Sequence, residues 1–265
     1  MDVVEREQLS PQEAFGHWYY QAKFRLLLTH LQSVAGLRAS TRIADVGCGI
    51  GLFLTLLQRT GCVRPEHLMG IDPAHPKTTR AVDGEAAILS AWPEGETVDV
   101  ALLMDVLEHT PDDLAVLRET AGHVEQGGHV FITVPAFSWL RSMHDRFLGH
   151  YRRYSQSSLG NLIGRCPDLE IVSLHYYYAS IFPAAVPWRL ARRNRNIGSG
   201  SDMRSLPRWL NGLLRWVTRA ELALATRNHL AGLTVVALCR KTTPASCRKP
   251  IIQLAPVPAA LRLAA

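Results

Sequence analysis

The sequence predicts an α/β fold, in which a seven-stranded, mostly parallel sheet has helices on both faces and carries an added helical insertion. The first sign is an apolar run over residues 42–46. It ends at three glycines spaced two apart, after which residues 52–57 follow helical spacing. The second sign is Val98–Met104, a nearly continuous apolar run that is typical of strands buried on both faces. With 265 residues and 47% hydrophobic content, the chain is long enough for one such domain.

The remaining elements are predicted in order along the chain. Residues 17–28 have strong helical character, and Pro111 with the acids after it indicates the first turn of a helix over 111–124. Further strands are expected at 67–71, 81–89, 129–135, 169–178 and 233–240. The predicted organisation is an N-terminal helical lid (1–41), a core (42–179), a basic and aromatic helical insertion (180–232), a last core strand (233–241) and a flexible tail (242–265).

The turn after the first strand carries the most specific motif of the chain, Asp45-x-Gly47-x-Gly49-x-Gly51. Glycine permits backbone angles that other residues avoid and lets a ligand approach the main chain closely. The dinucleotide pattern Gly-x-Gly-x-x-Gly is excluded because its last position is a leucine here, and the Gly-Lys-Ser/Thr ending of a P-loop is absent. Cys48 is expected to be a small buried residue of the turn rather than a nucleophile. The alternative is a glycine turn that binds no ligand.

This motif resembles the first motif of class I S-adenosylmethionine (SAM)-dependent methyltransferases. The resemblance implies a Rossmann-like core, SAM as cofactor and S-adenosylhomocysteine as product, and it assigns Asp45, Cys48 and the three glycines to cofactor binding. Asp72, followed by Pro73, ends the next strand 21 residues beyond Gly51. An acid at about this spacing accepts hydrogen bonds from ribose hydroxyls in nucleotide-binding α/β units. The alternative for Asp72 is a turn residue at a strand end.

The resemblance also places adenine at the loop after the third strand, where family members usually have an acid near the amino group. Ala87 stands where that acid is often found, so Asp83 or Glu85 is the expected substitute. Ile88 and Leu89 are predicted to pack on the ring or to contact it through a backbone N–H.

The fourth strand runs into Asp105-Val106-Leu107-Glu108-His109, which resembles the family motif that lines the methyl-transfer pocket. On this resemblance Met104, Asp105, Val106 and His109 belong to the cofactor site. Ligands of open α/β sheets bind at the carboxyl ends of the strands, and the residues assigned on the first four strands all fall at such ends. One shared pocket is therefore predicted.

Aromatic and basic residues near the start of the chain resemble an N-terminal helix that covers the SAM site in a subset of methyltransferases. Trp18 and Tyr19 would then form a lid, and Gln21 and Lys23 would approach the methionine carboxylate. The alternative is an amphipathic packing helix whose charges are solvated.

A segment over residues 143–154 is dense in ionisable and aromatic groups. Its His-Asp…Gly-His-Tyr-Arg-Arg-Tyr pattern resembles a bacterial methyltransferase subset whose members often lie among glycan, lipid or secondary-metabolite pathways. A hydroxyl acceptor needs a base, and histidine suits that role near neutral pH. The candidates are His109, His144 and His150, with His144 favoured because Asp145 adjoins it. The alternative is a surface segment whose arginines pair with acids. No metal-ligand spacing is visible, so metal-independent transfer is predicted.

The net charge of +6 is concentrated in residues 189–219, which contain eight arginines and one acid. Within this stretch Trp209, Leu213, Trp216 and Val217 fall together at helical spacing, which suits a lid, a membrane-surface helix or packing on the core. The arginines motivate a nucleic-acid methyltransferase as an alternative. That partner is disfavoured because neither an Asn-Pro-Pro-Tyr-like motif nor an added RNA-binding module is present.

The leading hypothesis is a SAM-dependent methyltransferase that acts on a small or lipophilic metabolite, with a hydroxyl oxygen as the expected acceptor. A protein that binds a membrane or partner without methyl transfer, or a SAM enzyme of another reaction type, are further alternatives. The five cysteines form no Cys-x-x-Cys pair, the start is acidic and polar, and no apolar run reaches the roughly 18–20 residues of a membrane span. A cytoplasmic location is therefore predicted, with membrane association through 180–232 as an alternative. The sequence sets no oligomeric state.

Overall fold

A computed structural model describes residues 9–192 and 205–243. The helices are α1 (Pro11–Gly16), α2 (Trp18–His30), α3 (Leu52–Arg59), α4 (Asp113–Gly122), α5 (Met143–Phe147), α6 (Gln156–Gly164), α7 (Phe182–Arg192) and α8 (Arg208–Leu222). The strands are β1 (Ile43–Val46), β2 (Leu68–Ile71), β3 (Thr79–Arg80), β4 (Ala87–Leu89), β5 (Val98–Met104), β6 (Val124–Pro135), β7 (Leu169–Tyr177) and β8 (Thr234–Lys241). The flexible tail predicted from residue 242 lies almost wholly outside the described residues.

The described strands form a single mixed sheet in the order β3-β4-β2-β1-β5-β6-β8-β7. Strands β4, β2, β1, β5 and β6 run parallel, whereas β3, β8 and β7 pair antiparallel with their neighbours. The predicted α/β class with a mostly parallel sheet is confirmed. Because the five parallel strands share one direction, their carboxyl ends meet along one edge, where such sheets bind ligands.

The described sheet has one strand more than predicted, because the short strand β3 (Thr79–Arg80) precedes the expected strand over 81–89, of which only Ala87–Leu89 forms a strand, β4. Asp83, with a φ of +51°, lies in the turn between β3 and β4. Thr79 and Arg80 then pair antiparallel with Ile88 and Ala87. A two-residue strand is too short to show the alternation by which strands are recognised in a sequence.

Two predicted boundaries are wrong by a few residues. Helix α4 begins at Asp113, after Pro111, because the Asp112 carboxylate accepts the backbone N–H of Ala115 at 2.9 Å and caps the helix. Strand β6 begins at Val124, five residues before the predicted start, and the glycine pair at 127–128 lies inside it rather than ahead of it. A Cβ on Gly128 would lie 2.7 Å from the carbonyl oxygen of Asp99, so this position admits only glycine without a shift.

Apolar side chains on the two faces of the sheet form two cores. One core joins β1, β5 and β6 to α2 and α3, with Leu26, Leu52 and Phe131 fully buried. The other joins the opposite face to α4 and α6, with Leu117 and Ile163 fully buried. Burying a side chain of this size contributes about 1.5–3 kcal/mol. The two cores therefore hold the helices against the sheet and fix the strand ends at which the site lies.

One polar side chain of helix α8, that of Asn211, joins the insertion to the start of α2. The Asn211 side-chain oxygen accepts the backbone N–H of Trp18 at 2.8 Å, and its amide nitrogen donates to the carbonyl of Gly16 at 2.9 Å. Asn211 therefore joins the end of α1 and the start of α2 to the insertion. None of the helices in the described ranges is long and apolar enough to cross a membrane.

Candidate active site

The glycine turn between β1 and α3 has backbone angles that are strained for residues other than glycine. Gly47, Gly49 and Gly51 have φ values of +68°, +54° and +74°. A Cβ on Gly47 would lie 2.8 Å from Val106 Cγ2, so this glycine lets the β5 loop approach closely. Cys48 is buried, and burial is the main cause that raises the pKa of its thiol. A buried, protonated thiol fits the expectation of a small packing residue.

Asp72, directly after β2, holds this turn in place. One oxygen of its carboxylate accepts the Gly49 N–H at 2.7 Å, and the other accepts the Ala74 N–H at 2.9 Å. The carbonyl of Gly49 lies 2.8 Å from Nε2 of His75. Asp72 is half-buried, and each oxygen of a carboxylate can accept more than one hydrogen bond. Pro73 beside it is exposed.

Asp45, near the end of β1, is a buried acid with one carboxylate oxygen that has no hydrogen-bond partner among the described residues. Its side chain is 1% exposed, and this oxygen is Oδ2. Burial raises the pKa of Asp45 to about 7, and the charge of Asp72 adds to the shift. A buried acceptor without a partner is costly, and a donor of positive charge would satisfy it. The unpartnered oxygen of Asp45 and the acid Asp72 thus fit a ligand with an ammonium group and a ribose, as SAM has.

Helix α2 reaches the end of β5 through two side chains. Lys23, only 1% exposed, forms an ion pair with Asp105, and the Tyr19 hydroxyl donates to the same carboxylate at 3.2 Å. Thr133 on β6 donates to the second oxygen of Asp105 at 3.2 Å. Burial alone would raise the pKa of Asp105, but the Lys23 charge and the hydrogen bonds from Lys23 and Thr133 lower it. Asp105 also has a φ of +59°, which marks a constrained position.

An aromatic stack supports this end of α2. The rings of Tyr19 and Tyr178 are stacked with centroids 5.5 Å apart, and the Tyr178 hydroxyl donates to the carbonyl of Tyr19 at 2.8 Å. Trp18 meets Tyr178 edge-on at 5.7 Å. The Gln21 amide donates to the carbonyl of Phe15 at 2.6 Å, so it braces the start of the helix. The predicted roles of Trp18 and Gln21 toward SAM stay predictions.

The residues expected around adenine are divided between core and edge. Ile88 is fully buried, and its side chain would meet a Cβ added to Gly51 at 3.2 Å, so it packs beneath the turn. Leu89 is half-buried at the end of β4, and its carbonyl accepts the Asp72 N–H at 2.8 Å. Asp83 forms an ion pair with Arg59 of α3 at 3.9 Å, and Met104 is buried at the end of β5.

Asp145 on α5 is the centre of a buried polar network. Its Oδ2 accepts the backbone N–H of Ser142 at 2.7 Å, while Oδ1 accepts the Arg153 Nε–H at 2.7 Å and lies 2.9 Å from Nδ1 of His150. Burial alone would raise the pKa of Asp145, but the hydrogen bonds from His150 and Arg153 and the Arg153 charge lower it strongly. The imidazole that the structure pairs with Asp145 is thus His150, whereas sequence adjacency favoured the half-buried His144.

A short helical turn, Leu107–His109, brings a second acid to the same place. Glu108 is 1% exposed, and its Oε2 has no partner among the described residues. The His109 and His150 rings meet edge-on with centroids 4.5 Å apart, and the backbone N–H of Tyr151 donates to the Glu108 carbonyl at 2.7 Å. Burial, followed by the charge of Asp105, raises the pKa of Glu108 well above its ordinary value.

Three contributors to these networks were missed by the sequence reasoning. Tyr178 and Thr133 give no signal beyond an apolar strand and its end. Glu108 lies beside His109 in the motif after β5. Its membership of the polar cluster depends on His150, which is far along the chain and close only in the fold. A cluster formed by residues distant in the chain has no characteristic spacing in the sequence.

The fold and site together define an α/β protein of the class that binds ligands at the carboxyl ends of its strands, with a glycine turn, an acid directly after β2 and a polar cluster. A family model described as "Methyltransferase domain" matches residues 15–174, and the chain belongs to this family. The predicted relationship to class I SAM-dependent methyltransferases is thereby confirmed.

Curated relatives carry a more specific name over a shorter stretch. The chain is 38% identical over 121 residues to a ubiquinone biosynthesis O-methyltransferase of Ralstonia nicotianae, covering 41% of this chain and 48% of the relative. It is 30% identical over 116 residues to the enzyme of the same name from Vibrio vulnificus, covering 41% and 49%. The chain therefore matches about half the length of these curated relatives.

Solved structures share the fold at low sequence identity. A sarcosine dimethylglycine methyltransferase of Galdieria sulphuraria, described as putative, aligns with a TM-score of 0.52 and 16% identity over 83% of this chain and 85% of that one. The plantazolicin methyltransferase BpumL, solved with S-adenosylhomocysteine, gives 0.53 and 12% over 91% and 88%. The [4+2]-cyclase SpnF gives 0.53 and 19% over 84% and 83%. A cyclase among these neighbours shows that the fold alone does not fix the reaction.

Proposed function

We propose that this protein is a SAM-dependent methyltransferase that transfers a methyl group to a hydroxyl oxygen of a small or lipophilic metabolite. The observation that carries the proposal is the glycine turn held by Asp72, next to the unpartnered buried oxygen of Asp45. The family membership supports methyl transfer, and the O-methyltransferase name of the matched relatives supports oxygen as the acceptor.

The cofactor would lie along the carboxyl ends of the parallel strands. Asp72 accepts the ribose hydroxyls, Asp45 receives the positive amino group, and the backbone of the glycine turn permits close approach. Leu89 borders the adenine, and Tyr19, Lys23 and the helix that carries them close the site over Asp105. The cofactor supplies a methyl on a positively charged sulfur, which keeps the bonding electrons and becomes the thioether of S-adenosylhomocysteine.

The acceptor would lie beyond Asp105, against the cluster of Glu108, His109 and His150. Transfer requires the acceptor oxygen in line with the methyl and the sulfur, so positioning is the main task of the protein. Loss of the hydroxyl proton is assigned to this cluster. Asp145 acts as a positioning residue there because it fixes the ring of His150 through Nδ1. The contact between His150 and Asp145 therefore favours His150 over His144 as the base.

Calorimetry with SAM and S-adenosylhomocysteine tests the cofactor site. We expect the wild-type chain to bind both, and Asp72→Ala to weaken binding roughly tenfold to 100-fold, since hydrogen bonds to a charged group contribute about 1.5–3 kcal/mol. Glu66→Ala is the matched control, because this acid before β2 is 61% exposed and pairs only loosely with Arg64 at 3.9 Å. A folded wild-type protein that binds neither compound would refute the proposal.

The acceptor is sought with methyl-labelled SAM and cell extracts, followed by mass spectrometry. The expected product is a small molecule that gains one labelled methyl on oxygen. Label recovered only on nitrogen, on carbon or in nucleic acid would contradict the stated acceptor. The nucleic-acid alternative also predicts binding that weakens steeply with salt.

We also propose that the insertion contacts a membrane surface. Trp209 and Trp216 are 71% and 68% exposed, and Leu213 lies between them on the same face of α8. Packing on the core is therefore wrong for these three side chains. Arginines flanking an exposed Trp–Leu face suit a helix that lies on anionic lipid. Flotation with phosphatidylserine vesicles is expected to carry the wild-type chain upward and to leave a Trp209→Ser, Trp216→Ser double variant behind. Equal flotation of both proteins would contradict this role.

A further inference from the structure

We propose that Glu108, His109 and His150 bind a divalent transition-metal cation. One ligand atom from each of the three side chains lies within 4.8 Å of the other two. A carboxylate oxygen and imidazole nitrogens are the ligands that zinc and related ions take in proteins. Ligands held roughly 2.1 Å from a tetrahedral ion lie about 3.4 Å apart, so the ligand atoms need to approach one another by at most about 1.4 Å.

Glu108 gives an independent reason to place a ligand here. Its side chain is almost completely buried, yet Oε2 has no hydrogen-bond partner within residues 9–192 and 205–243. A buried polar atom without a partner is costly, and such atoms in folded proteins point to an ion or a water that completes them. A cation between Glu108 and the two imidazoles would supply that contact.

The surroundings of His150 match those of a metal-bound histidine. Its Nδ1 lies 2.9 Å from Oδ1 of Asp145, which assigns the proton to Nδ1 and leaves the lone pair of Nε2 as a ligand. Asp145 is itself fixed by Arg153 and by the backbone of Ser142. Histidine ligands characteristically donate their other nitrogen to a carboxylate, which sets the orientation of the ring.

The location of the cluster gives the cation a role in the proposed reaction, and this part rests on the proposed function. Three protein ligands leave a position open for the oxygen of the acceptor. A bound cation would lower the pKa of such a hydroxyl, so that the proton would pass to water instead of to an imidazole of the cluster, and the oxygen would then take the methyl. The sequence predicted metal-independent transfer because it shows no metal-ligand spacing, and the cation site is an alternative to that prediction.

Titration of the chelator-treated full chain with Zn²⁺ tests the site, with Co²⁺ as a spectroscopic probe. We expect one ion per chain and ligand-field absorption from bound Co²⁺. Glu108→Gln and His150→Gln should each lower the affinity at least tenfold. His144→Gln is the matched control, since it removes an imidazole from the same segment but outside the set. Circular dichroism checks each fold, and His150→Gln carries the test if Glu108→Gln does not fold.

The outcomes separate this proposal from the methyltransferase proposal. Absence of stoichiometric binding, or an equal loss in His144→Gln, overturns the cation site even where SAM still binds. Failure of SAM to bind a chain that holds one Zn²⁺ overturns the methyltransferase proposal and leaves the site standing. Retention of full Co²⁺ absorption by both ligand variants also overturns the cation site.

Discussion

Replacing Gly51 by alanine tests whether the glycine turn requires a residue without a Cβ at this position. The new Cβ would lie 2.6 Å from Cβ and 2.9 Å from Cα of Ala81, a backbone atom that cannot move without shifting the chain. The φ of +74° costs an alanine about 1–2 kcal/mol, and overpacking adds about 1–3 kcal/mol. We expect a loss of about 3 kcal/mol in the free energy of unfolding. At roughly 2–4 °C per kcal/mol, Tm should fall by about 10 °C.

Gly61→Ala supplies the matched control for this prediction. Gly61 has nearly the same backbone, with a φ of +68°, but nothing lies within 4 Å of its added Cβ. It should lose only the backbone contribution of about 1–2 kcal/mol. Urea unfolding followed by circular dichroism measures both variants. Equal losses in the two proteins would show that contact with Ala81 does not constrain the turn, and would refute the reasoning.

Two further predictions concern buried charges. The apo protein should lose stability as pH rises from 3.8 toward 7, because folding raises the pKa of Asp45 to about 7, whereas SAM affinity should increase over roughly pH 6–8 as Asp45 ionises. Calorimetry at several pH values checks this, and an unchanged slope in Asp45→Asn would contradict it. Lys23→Met should lower the free energy of unfolding by about 2–3 kcal/mol, less than for a fully buried pair because Asp105 is 30% exposed. Urea unfolding should show part of that loss restored by a second change, Asp105→Asn, and no restoration would argue against the pairing.

The sequence predicted those parts of the fold whose signal comes from residues that are neighbours in the chain. Strand β1, the glycine turn and α3 follow one another without interruption, so their residues carry the whole signal. Asp72 is recognisable because a fixed distance from the turn defines its position at the end of β2. The short β3 and the early start of β6 depend on pairing with neighbouring strands, which sequence periodicity does not encode.

The site was predictable only as far as its contacts are local. The acids at the ends of β1, β2 and β5 could be named from strand ends, although their roles toward SAM stay predictions. Adjacency to Asp145 favoured His144 over His150, whereas the Asp145 side chain contacts the later histidine, and spacing along the chain does not reveal that contact. Nor could the exposure of Trp209 be foreseen, because an amphipathic pattern does not say whether its apolar face meets a core or solvent.

The two hydrogen bonds of Asn211 make the insertion part of the support of α2. This side chain, which the sequence assigns to a peripheral insertion, ties down the first backbone amide of the helix that delivers Tyr19 and Lys23. A chain without residues 180–232 would lose both hydrogen bonds at the junction of α1 and α2. The insertion therefore supports the helix that carries Tyr19 and Lys23, although it lies far from that helix along the chain.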